Sequence, residues 1–195
     1  APFGLLMLWL PFQAHAAFSA ESCDKPFELS NSGRYLVDAC QNRFKLKSVN
    51  WYGASDTWQV PIGLHKQSIA YIADLILQMG FNSVRLPFSN QAIHDTNPVD
   101  PAHVAANPEL IGKSPLQVYD AVVKGLTDAG IVVILNNHTT TSEWCCNYDK
   151  NGLWWGGNGS YWQDTQQWQA DWVFLTNRYQ NIRLVAGADL RNEVR

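Results

Sequence analysis

Segments typical of β-strands and of α-helices alternate along this chain, and this order limits its fold more than any other sequence feature. Residues 131–135 (IVVIL) form a continuous, largely β-branched run, which is typical of a strand buried on both faces. A helix is predicted before that strand, because Ser114 can cap it, Pro115 suits its first position and Gln117 completes a capping box. Gly130 is a typical C-terminal stop for this helix.

The remaining segments extend the same alternation. Apolar residues recur at helical spacing over 69–79, and alternating runs at 34–38 and 43–47 around a short polar turn predict a β-hairpin near the N-terminus. The order is a hairpin followed by β-α-β-α-β-α-β, which implies a parallel sheet with right-handed crossovers. The other predicted elements are strands at 48–53, 81–87 (ended by Pro87) and 184–190, and a third helix at about 162–179.

A doubly wound sheet and a barrel both fit this order, and two features favour the barrel. The first strand runs into NWYGAS at 50–55, which lacks the Gly-x-Gly-x-x-Gly of dinucleotide-binding folds. Every predicted core strand also ends at its carboxyl side in polar or aromatic residues, and in barrels that rim carries the chemistry. We therefore predict an α/β fold: the first half (about four βα units) of a (β/α)8 TIM barrel, preceded by an N-terminal β-hairpin.

Composition narrows the range of functions. The chain has 9 Trp, and Trp suits partners that are both apolar and hydrogen-bonding, as sugar rings are. A net charge of -3 offers no basic surface for nucleic acid, and 46% hydrophobic residues argue against disorder. The sequence has no nucleophile elbow, zinc-protease His motif or phosphate loop, and its five His are scattered, so we predict no metal and no cofactor.

The N-terminal segment is similar to part of a secretory signal. Residues 3–12 are apolar and precede the small-x-small pattern AHA at 14–16, although a buried N-terminal strand is the alternative interpretation. The run is too short to span a membrane, which takes about 20 apolar residues. The initiator Met is missing and the sequence ends at Arg195 within a strand motif, so we predict an N-terminal fragment. From the signal-like segment we predict that the protein is secreted and does not insert into a membrane. The predicted units are a partial signal peptide at 1–16, a lead-in at 17–33 and a partial barrel truncated after strand 4 at 34–195.

A secretory signal would permit disulfides. Cys23 and Cys40 flank the predicted hairpin and are the preferred pair. Cys145 and Cys146 are adjacent, which is a strained spacing for a mutual bond, so we expect each to pair with cysteines outside this sequence.

Three polar side chains at strand ends could support chemistry. Glu193 is a candidate proton donor; the alternative is a rim carboxylate salt-bridged by Arg191 or Arg195. His138 could orient a substrate hydroxyl or a catalytic carboxylate, or could be a hydrogen-bonded core histidine. Arg85 within a barrel needs a carboxylate partner across the rim, unless it is a solvated strand end.

Several tryptophans are candidates for stacking on sugar rings, whereas those of the third helix are interpreted as core. Tryptophan enrichment would also fit a carbohydrate-binding module or lectin. Such modules are usually antiparallel β-sandwiches, and the helical periodicity argues against one. The candidate stacking residues are Trp51, Trp144, Trp154 and Trp155.

Taken together, residues 34–195 resemble glycoside hydrolase family 5, the cellulase-like retaining glycosidases built on a (β/α)8 barrel. Four landmarks in order support the resemblance, one for each of the first four strands. They read VNWYG at 49–53, NSVRLP at 82–87, NNH at 136–138 and LRNE at 190–193. One departure is that the family's usual Asn-Glu-Pro reads Asn-Glu-Val at 192–194.

The resemblance implies a retaining O-glycoside hydrolase acting on β-linked glucan or a related polysaccharide, with Glu193 as general acid/base. Asn192 would hold the sugar 2-hydroxyl, and Arg85 and His138 would orient the nucleophile and the reacting sugar. The nucleophile, a second Glu, would lie beyond Arg195, so the 195-residue chain is expected to be inactive by itself. A catalytically inactive, carbohydrate-binding homologue is the alternative. The expected partner is a poly- or oligosaccharide, and the protein is expected to be a monomer.

Overall fold

The computed structural model of the protein describes residues 23–158 and 161–194. The segment interpreted as a signal peptide, 1–16, lies outside these residues, as does part of the lead-in. The strands are β1 (Ser30–Ser32), β2 (Tyr35–Val37), β3 (Ser48–Asn50), β4 (Ser83–Ser89), β5 (Val132–Thr139), β6 (Gly156–Asn158), β7 (Tyr161–Gln163) and β8 (Val185–Asp189). The helices are α1 (Ile69–Gln78), α2 (Asn90–His94), α3 (Pro115–Asp128) and α4 (Thr165–Tyr179), with 3-10 helices at Pro101–Val104 and Pro108–Leu110.

The centre of the molecule is a four-stranded sheet in the order β3-β4-β5-β8, in which every neighbouring pair is parallel. Strand order therefore follows chain order, with α1, α3 and α4 connecting successive strands. This is the arrangement predicted for the first half of a (β/α)8 barrel, and it excludes an antiparallel sandwich for the described residues. Within those residues no helix is both long and apolar enough to cross a bilayer.

The core lies between the sheet and the helices. Strand β5 is buried along nearly its whole length, as its continuous apolar sequence predicts. Helix α3 packs against β5 and α1 through a fully buried stripe of Val118, Val122 and Leu126. Burial of each such side chain contributes roughly 1.5–3 kcal/mol, so this stripe is a main source of the stability of the half-barrel.

Helix boundaries follow their capping residues. The predicted capping box of α3 is present, and the helix ends before Gly130, whose φ is 81°. Helix α4 begins at Thr165 rather than at 162, because residues 161–163 pair with β6 as strand β7. Asp164 then caps α4, since its side chain accepts a hydrogen bond from the Gln167 N–H.

The N-terminal hairpin is present, but its pairing differs from the prediction. Strand β2 pairs with the upstream β1 across a turn in which Gly33 has a φ of 59°, a conformation that glycine adopts without strain. The predicted return run at 43–47 makes only one bridge, between Arg43 and Val37. The reason is local: the Asp38 carboxylate accepts from the backbone N–H groups of Cys40 and Asn42 and folds this segment into a compact loop.

The sequence predicted that Pro87 ends β4, but β4 continues to Ser89. Pro87 instead limits how far β4 pairs with β3. The Arg85 carbonyl accepts from the Trp51 N–H, so residues 85 and 87 direct their backbone polar groups towards β3. Pro87 has no N–H to give to the next carbonyl on that side. Pairing with β3 therefore stops at Asn50, while β4 continues beside β5 to Ser89.

Candidate active site

The carboxyl end of the central sheet gathers polar side chains from all four strands. We call this set the rim and define it as Asn50, Arg85, His138, Asp189 and Asn192. Parallel pairing aligns Asn50 of β3 with Arg85 of β4, and Asn136 of β5 with Asp189 of β8. The strand ends therefore meet at one edge, as in a barrel whose chemistry lies at that face.

Arg85 connects the rim. Its Nε–H donates to the Asp189 carboxylate (2.7 Å), Nη1 donates to Asn50 Oδ1 (3.2 Å) and Nη2 donates to Asn192 Oδ1 (3.0 Å). Nη2 also lies 2.6 Å from Asp189 Oδ2. Asp189 is the carboxylate partner that a charge at position 85 was expected to need. Because 36% of the Asp189 side chain is exposed, we expect this ion pair to contribute little to the stability of the fold. Its main effect is to orient the Arg85 side chain.

Asn192 is held at the rim by hydrogen bonds, whereas the next residue, Glu193, is exposed to solvent. The Asn192 backbone N–H donates to the Asn137 carbonyl (3.0 Å), in addition to the bond from Arg85. Strand β8 ends at Asp189, so Glu193 lies beyond the strand and is exposed rather than at a buried strand end. Its φ of 33° lies in the left-handed region, which is uncommon for a residue other than glycine.

His138 is a buried and neutral histidine. Its Nδ1 lies 2.8 Å from Asn136 Oδ1. Because an amide oxygen only accepts, Nδ1 carries the proton and Nε2 is the acceptor of the neutral ring. Burial, together with the smaller effects of the charges of Arg85 and Arg191, lowers the pKa of His138 to about 4, against an opposing effect of Asp189. The hydrogen bond and the burial agree with the interpretation of His138 as a core histidine. Its ring is nevertheless close enough to Arg85 and Asp189 for their charges to affect its pKa.

The four predicted stacking tryptophans lie in different environments. Trp51 is buried in the core, where its Nε1–H donates to the Ile62 carbonyl (2.8 Å), so the structure does not place it on an open stacking surface. Trp154 is half-buried and its ring lies 6.5 Å from that of Trp168. Trp144 and Trp155 are exposed. These two present the aromatic surface that a sugar ring could contact.

The predicted and observed disulfides agree for one pair only. Cys23 and Cys40 are bonded as expected. Cys145 and Cys146 are bonded to each other, so the prediction of separate partners is wrong. The backbone allows this because Cys146 adopts a φ of 83°, which brings two adjacent side chains together.

Two residues that contribute to the site were not predicted from the sequence. Asp189 could have been found as the carboxylate near the end of the predicted strand 184–190, since Arg85 was expected to need such a partner. In the structure it is half-buried, like Gly187 on the same face of β8. Arg191 was considered only as a partner of Glu193. Its guanidinium is instead surrounded by the side chains of Asn137 and Thr140 and by loop carbonyls, and nothing in the sequence pattern signals that arrangement.

Comparison with known proteins relates this geometry to one enzyme family. Residues 37–195 match the family described as cellulase (glycosyl hydrolase family 5). An endoglucanase of Paenibacillus polymyxa is 28% identical over 192 residues, which cover 96% of this chain and 45% of that protein. The major extracellular endoglucanase of Xanthomonas campestris pv. campestris is 36% identical over 167 residues, which cover 84% of this chain and 32% of that protein.

A solved structure agrees with these relatives. An endocellulase from Pyrococcus horikoshii, crystallised as a variant in complex with cellotetraose, superposes with a TM-score of 0.70 at 25% identity, over 86% of this chain and 43% of that one. The chain thus spans less than half the length of the relatives it matches. Because the family match covers most of the sequence and the parallel half-barrel agrees with it, the chain belongs to the cellulase family, glycosyl hydrolase family 5.

Proposed function

We propose that this chain supplies one side of the active site of a retaining glycosidase that hydrolyses β-linked glucan, with Glu193 as general acid/base. The observation that carries the proposal is the hydrogen bond from Arg85 to Asn192, which ties the residue before Glu193 to the rim. The endoglucanase activity named for the relatives of Paenibacillus and Xanthomonas supports the reaction class.

In this mechanism Glu193 protonates the glycosidic oxygen as the bond to the leaving sugar breaks, and later removes a proton from the attacking water. Exposure of Glu193 gives both the leaving group and the water access to its carboxyl group. Asn192 holds the sugar 2-hydroxyl, where a hydrogen bond strengthens in the transition state. Its Oδ1 already accepts from Arg85, so its amide nitrogen is the group that donates to the sugar.

The nucleophile in this proposal is a second Glu from the part of the relatives' length that this chain does not span. In retaining enzymes it lies about 5–5.5 Å from the acid/base carboxyl group. Arg85 is permanently charged, whereas the low pKa of His138 keeps that ring neutral. Arg85 therefore favours the ionised form of a nearby nucleophilic carboxylate. His138 offers a sugar hydroxyl a neutral acceptor, Nε2, because its Nδ1–H already donates to Asn136.

The proposed substrate is a β-1,4-glucan chain that contacts the exposed rings of Trp144 and Trp155. The half-buried Trp154 directly precedes Trp155 in the chain. Binding of cellotetraose by the Pyrococcus endocellulase supports this substrate class. We also propose that the protein is secreted. The Cys23–Cys40 disulfide and the extracellular Xanthomonas relative support that location, since disulfides persist in oxidising compartments.

The stereochemistry of the product tests the function directly. We expect the full-length protein to cleave cellotetraose and to release, first, the β-anomer at the new reducing end, as monitored by ¹H NMR before mutarotation. Release of the α-anomer first would contradict the two-step mechanism. Binding of cellotetraose without cleavage would identify the protein as an inactive, carbohydrate-binding homologue instead.

Replacing Arg85 by lysine is expected to lower kcat/KM for cellotetraose by about tenfold, roughly the effect of one lost charge-assisted hydrogen bond. Lysine keeps the charge but cannot bind Asn50, Asp189 and Asn192 in one plane. Steady-state kinetics of Arg85→Lys measure the effect. Arg34→Lys, at an exposed position of the N-terminal hairpin, is the matched control and should retain wild-type kinetics. Equal values for both variants would argue against a role of the planar contacts.

A further inference from the structure

Arg191 is a cation enclosed by neutral oxygens. Its Nε–H donates to the Gly152 carbonyl (3.0 Å), and its Nη2 donates to the Asn151 carbonyl (2.6 Å), the Leu153 carbonyl and Thr140 Oγ1 (2.9 Å). Three consecutive backbone carbonyls of the loop after β5 therefore converge on one guanidinium. Such convergence fixes the loop segment 151–153 relative to the residue that directly precedes Asn192.

The other side of the guanidinium is bound by two buried amides. Nη1 donates to Asn137 Oδ1 and, at 3.3 Å, to Asn90 Oδ1. Asn137 also accepts from Trp168 Nε1 (3.0 Å) and donates to Asn90 Oδ1 (2.8 Å). An arginine has five N–H donors in a rigid plane, and here all three nitrogens of that plane donate to acceptors.

The Asn90 amide connects Arg191 to a negative charge, the carboxylate of Asp171. Asn90 directs its oxygen to Arg191 and its nitrogen to the buried Asp171 carboxylate (2.6 Å). The second Asp171 oxygen contacts His94 (2.7 Å) and Gln167 (2.8 Å). The Asn90 amide dipole is thus aligned between a cation and an anion, an orientation that stabilises both charges. Within the described residues, each acceptor that binds the Arg191 guanidinium is a neutral oxygen, so no carboxylate compensates its charge directly.

Burying the Arg191 charge among neutral groups costs free energy, so we expect the charge to have a function. Burial lowers the pKa of Arg191 to about 9, because water is exchanged for neutral acceptors. A buried apolar side chain at position 191 would avoid that cost. The location of Arg191 offers the reason: it lies between the acid/base motif on one side and the loop with Trp154 and Trp155 on the other.

We propose that Arg191 is a positioning residue of the glycosidase site, which holds Glu193 in its catalytic orientation by anchoring the segment after β8 to the loop segment 151–153. The inference rests on the proposed function.

Lysine cannot replace arginine here. Its ammonium has three donors at one point, whereas the acceptors around Arg191 surround a plane. Arg191→Lys therefore keeps the charge and loses most of the contacts with residues 151–153. The acid/base group then samples orientations in which its proton does not reach the leaving oxygen, while cleavage of substrates that need no proton continues.

The test compares kcat/KM of full-length Arg191→Lys on two aryl β-cellobiosides, phenyl (a poor leaving group) and 2,4-dinitrophenyl (a good one). We expect about a tenfold or greater loss on the phenyl substrate and a change of less than about threefold on the other, since general acid catalysis contributes only where the leaving group needs a proton. A merely structural defect would lower both values equally, and that outcome, or no loss on either, overturns the proposal. Arg183→Lys, at an exposed position two residues before β8, is the matched control and should match the wild type on both substrates.

Two further variants keep the result interpretable. Thr140→Val removes one acceptor of Arg191 and the hydroxyl's own hydrogen bond to the Leu153 carbonyl, and it is the milder change if Arg191→Lys does not fold. A smaller loss confined to the phenyl substrate supports the proposal, and equal losses overturn it. Glu193→Gln on the same substrates separates the two hypotheses. If Glu193→Gln shows no dependence on the leaving group, the proposed function fails. If it does and Arg191→Lys does not, only the positioning role fails.

Discussion

Replacing Glu193 by glutamine in the full-length protein is expected to lower kcat/KM for phenyl β-cellobioside by about 10²- to 10⁴-fold, the usual contribution of a positioned general acid. Glutamine keeps the size of the side chain but has no acidic proton to deliver. For 2,4-dinitrophenyl β-cellobioside, whose leaving group departs as a stable anion, kcat/KM should stay within about threefold of the wild-type value, because it needs no general acid. Steady-state kinetics on the two substrates measure the difference.

The second half of the reaction gives an independent check on Glu193. Without its base, water attacks the glycosyl-enzyme slowly, so kcat for the dinitrophenyl substrate should fall although kcat/KM does not. Azide needs no base and should restore kcat, with a β-glycosyl azide as product. Glu109→Gln, in the 3-10 helix Pro108–Leu110, is the matched control and should behave as wild type. Equal losses on both substrates, or no response to azide, would argue against the acid/base role.

The elements that the sequence predicted well are those set by local patterns. The stripe and capping box of α3 lie within one helix, and the buried run of β5 lies within one strand, so neither depends on distant parts of the chain. Alternation of strands and helices then restricts the topology, because parallel strands need crossovers of one hand. The fold of the half-barrel follows from these features together.

The features that the sequence did not reveal depend on contacts between distant segments or on unusual backbone conformations. The pairing of Cys145 with Cys146 occurs together with a left-handed φ at Cys146. The core position of Trp51 depends on a loop carbonyl at Ile62, and the partners of Arg191 lie about forty residues or more away in the chain. Residue type and spacing identify which side chains could support chemistry; only the tertiary structure determines their neighbours.

His138 links the site to the stability of the fold, and acid should therefore destabilise the protein through it. The pKa of His138 is about 4 in the folded protein, chiefly because the ring is buried. In the unfolded chain a histidine titrates near about 6.5. Between these values the unfolded state binds more protons than the folded state, so the free energy of unfolding rises with pH there. The contribution of His138 is complete above about pH 6.5 and is lost as the pH falls to about 4, by about 3 kcal/mol in total.

Urea unfolding of wild-type and His138→Gln protein at pH 7 and pH 4.5 measures this effect. The variant loses the hydrogen bond to Asn136 and is expected to be less stable at pH 7, but its stability should fall less on acidification because glutamine does not titrate. His103→Gln, in the 3-10 helix Pro101–Val104, is the matched control and should keep the wild-type dependence on pH. An unchanged dependence in His138→Gln would show that His138 takes up its proton in the folded state as readily as in the unfolded one. The ring beside Arg85 would then be a cation at mildly acidic pH, and it could not accept a hydrogen bond from the substrate under those conditions.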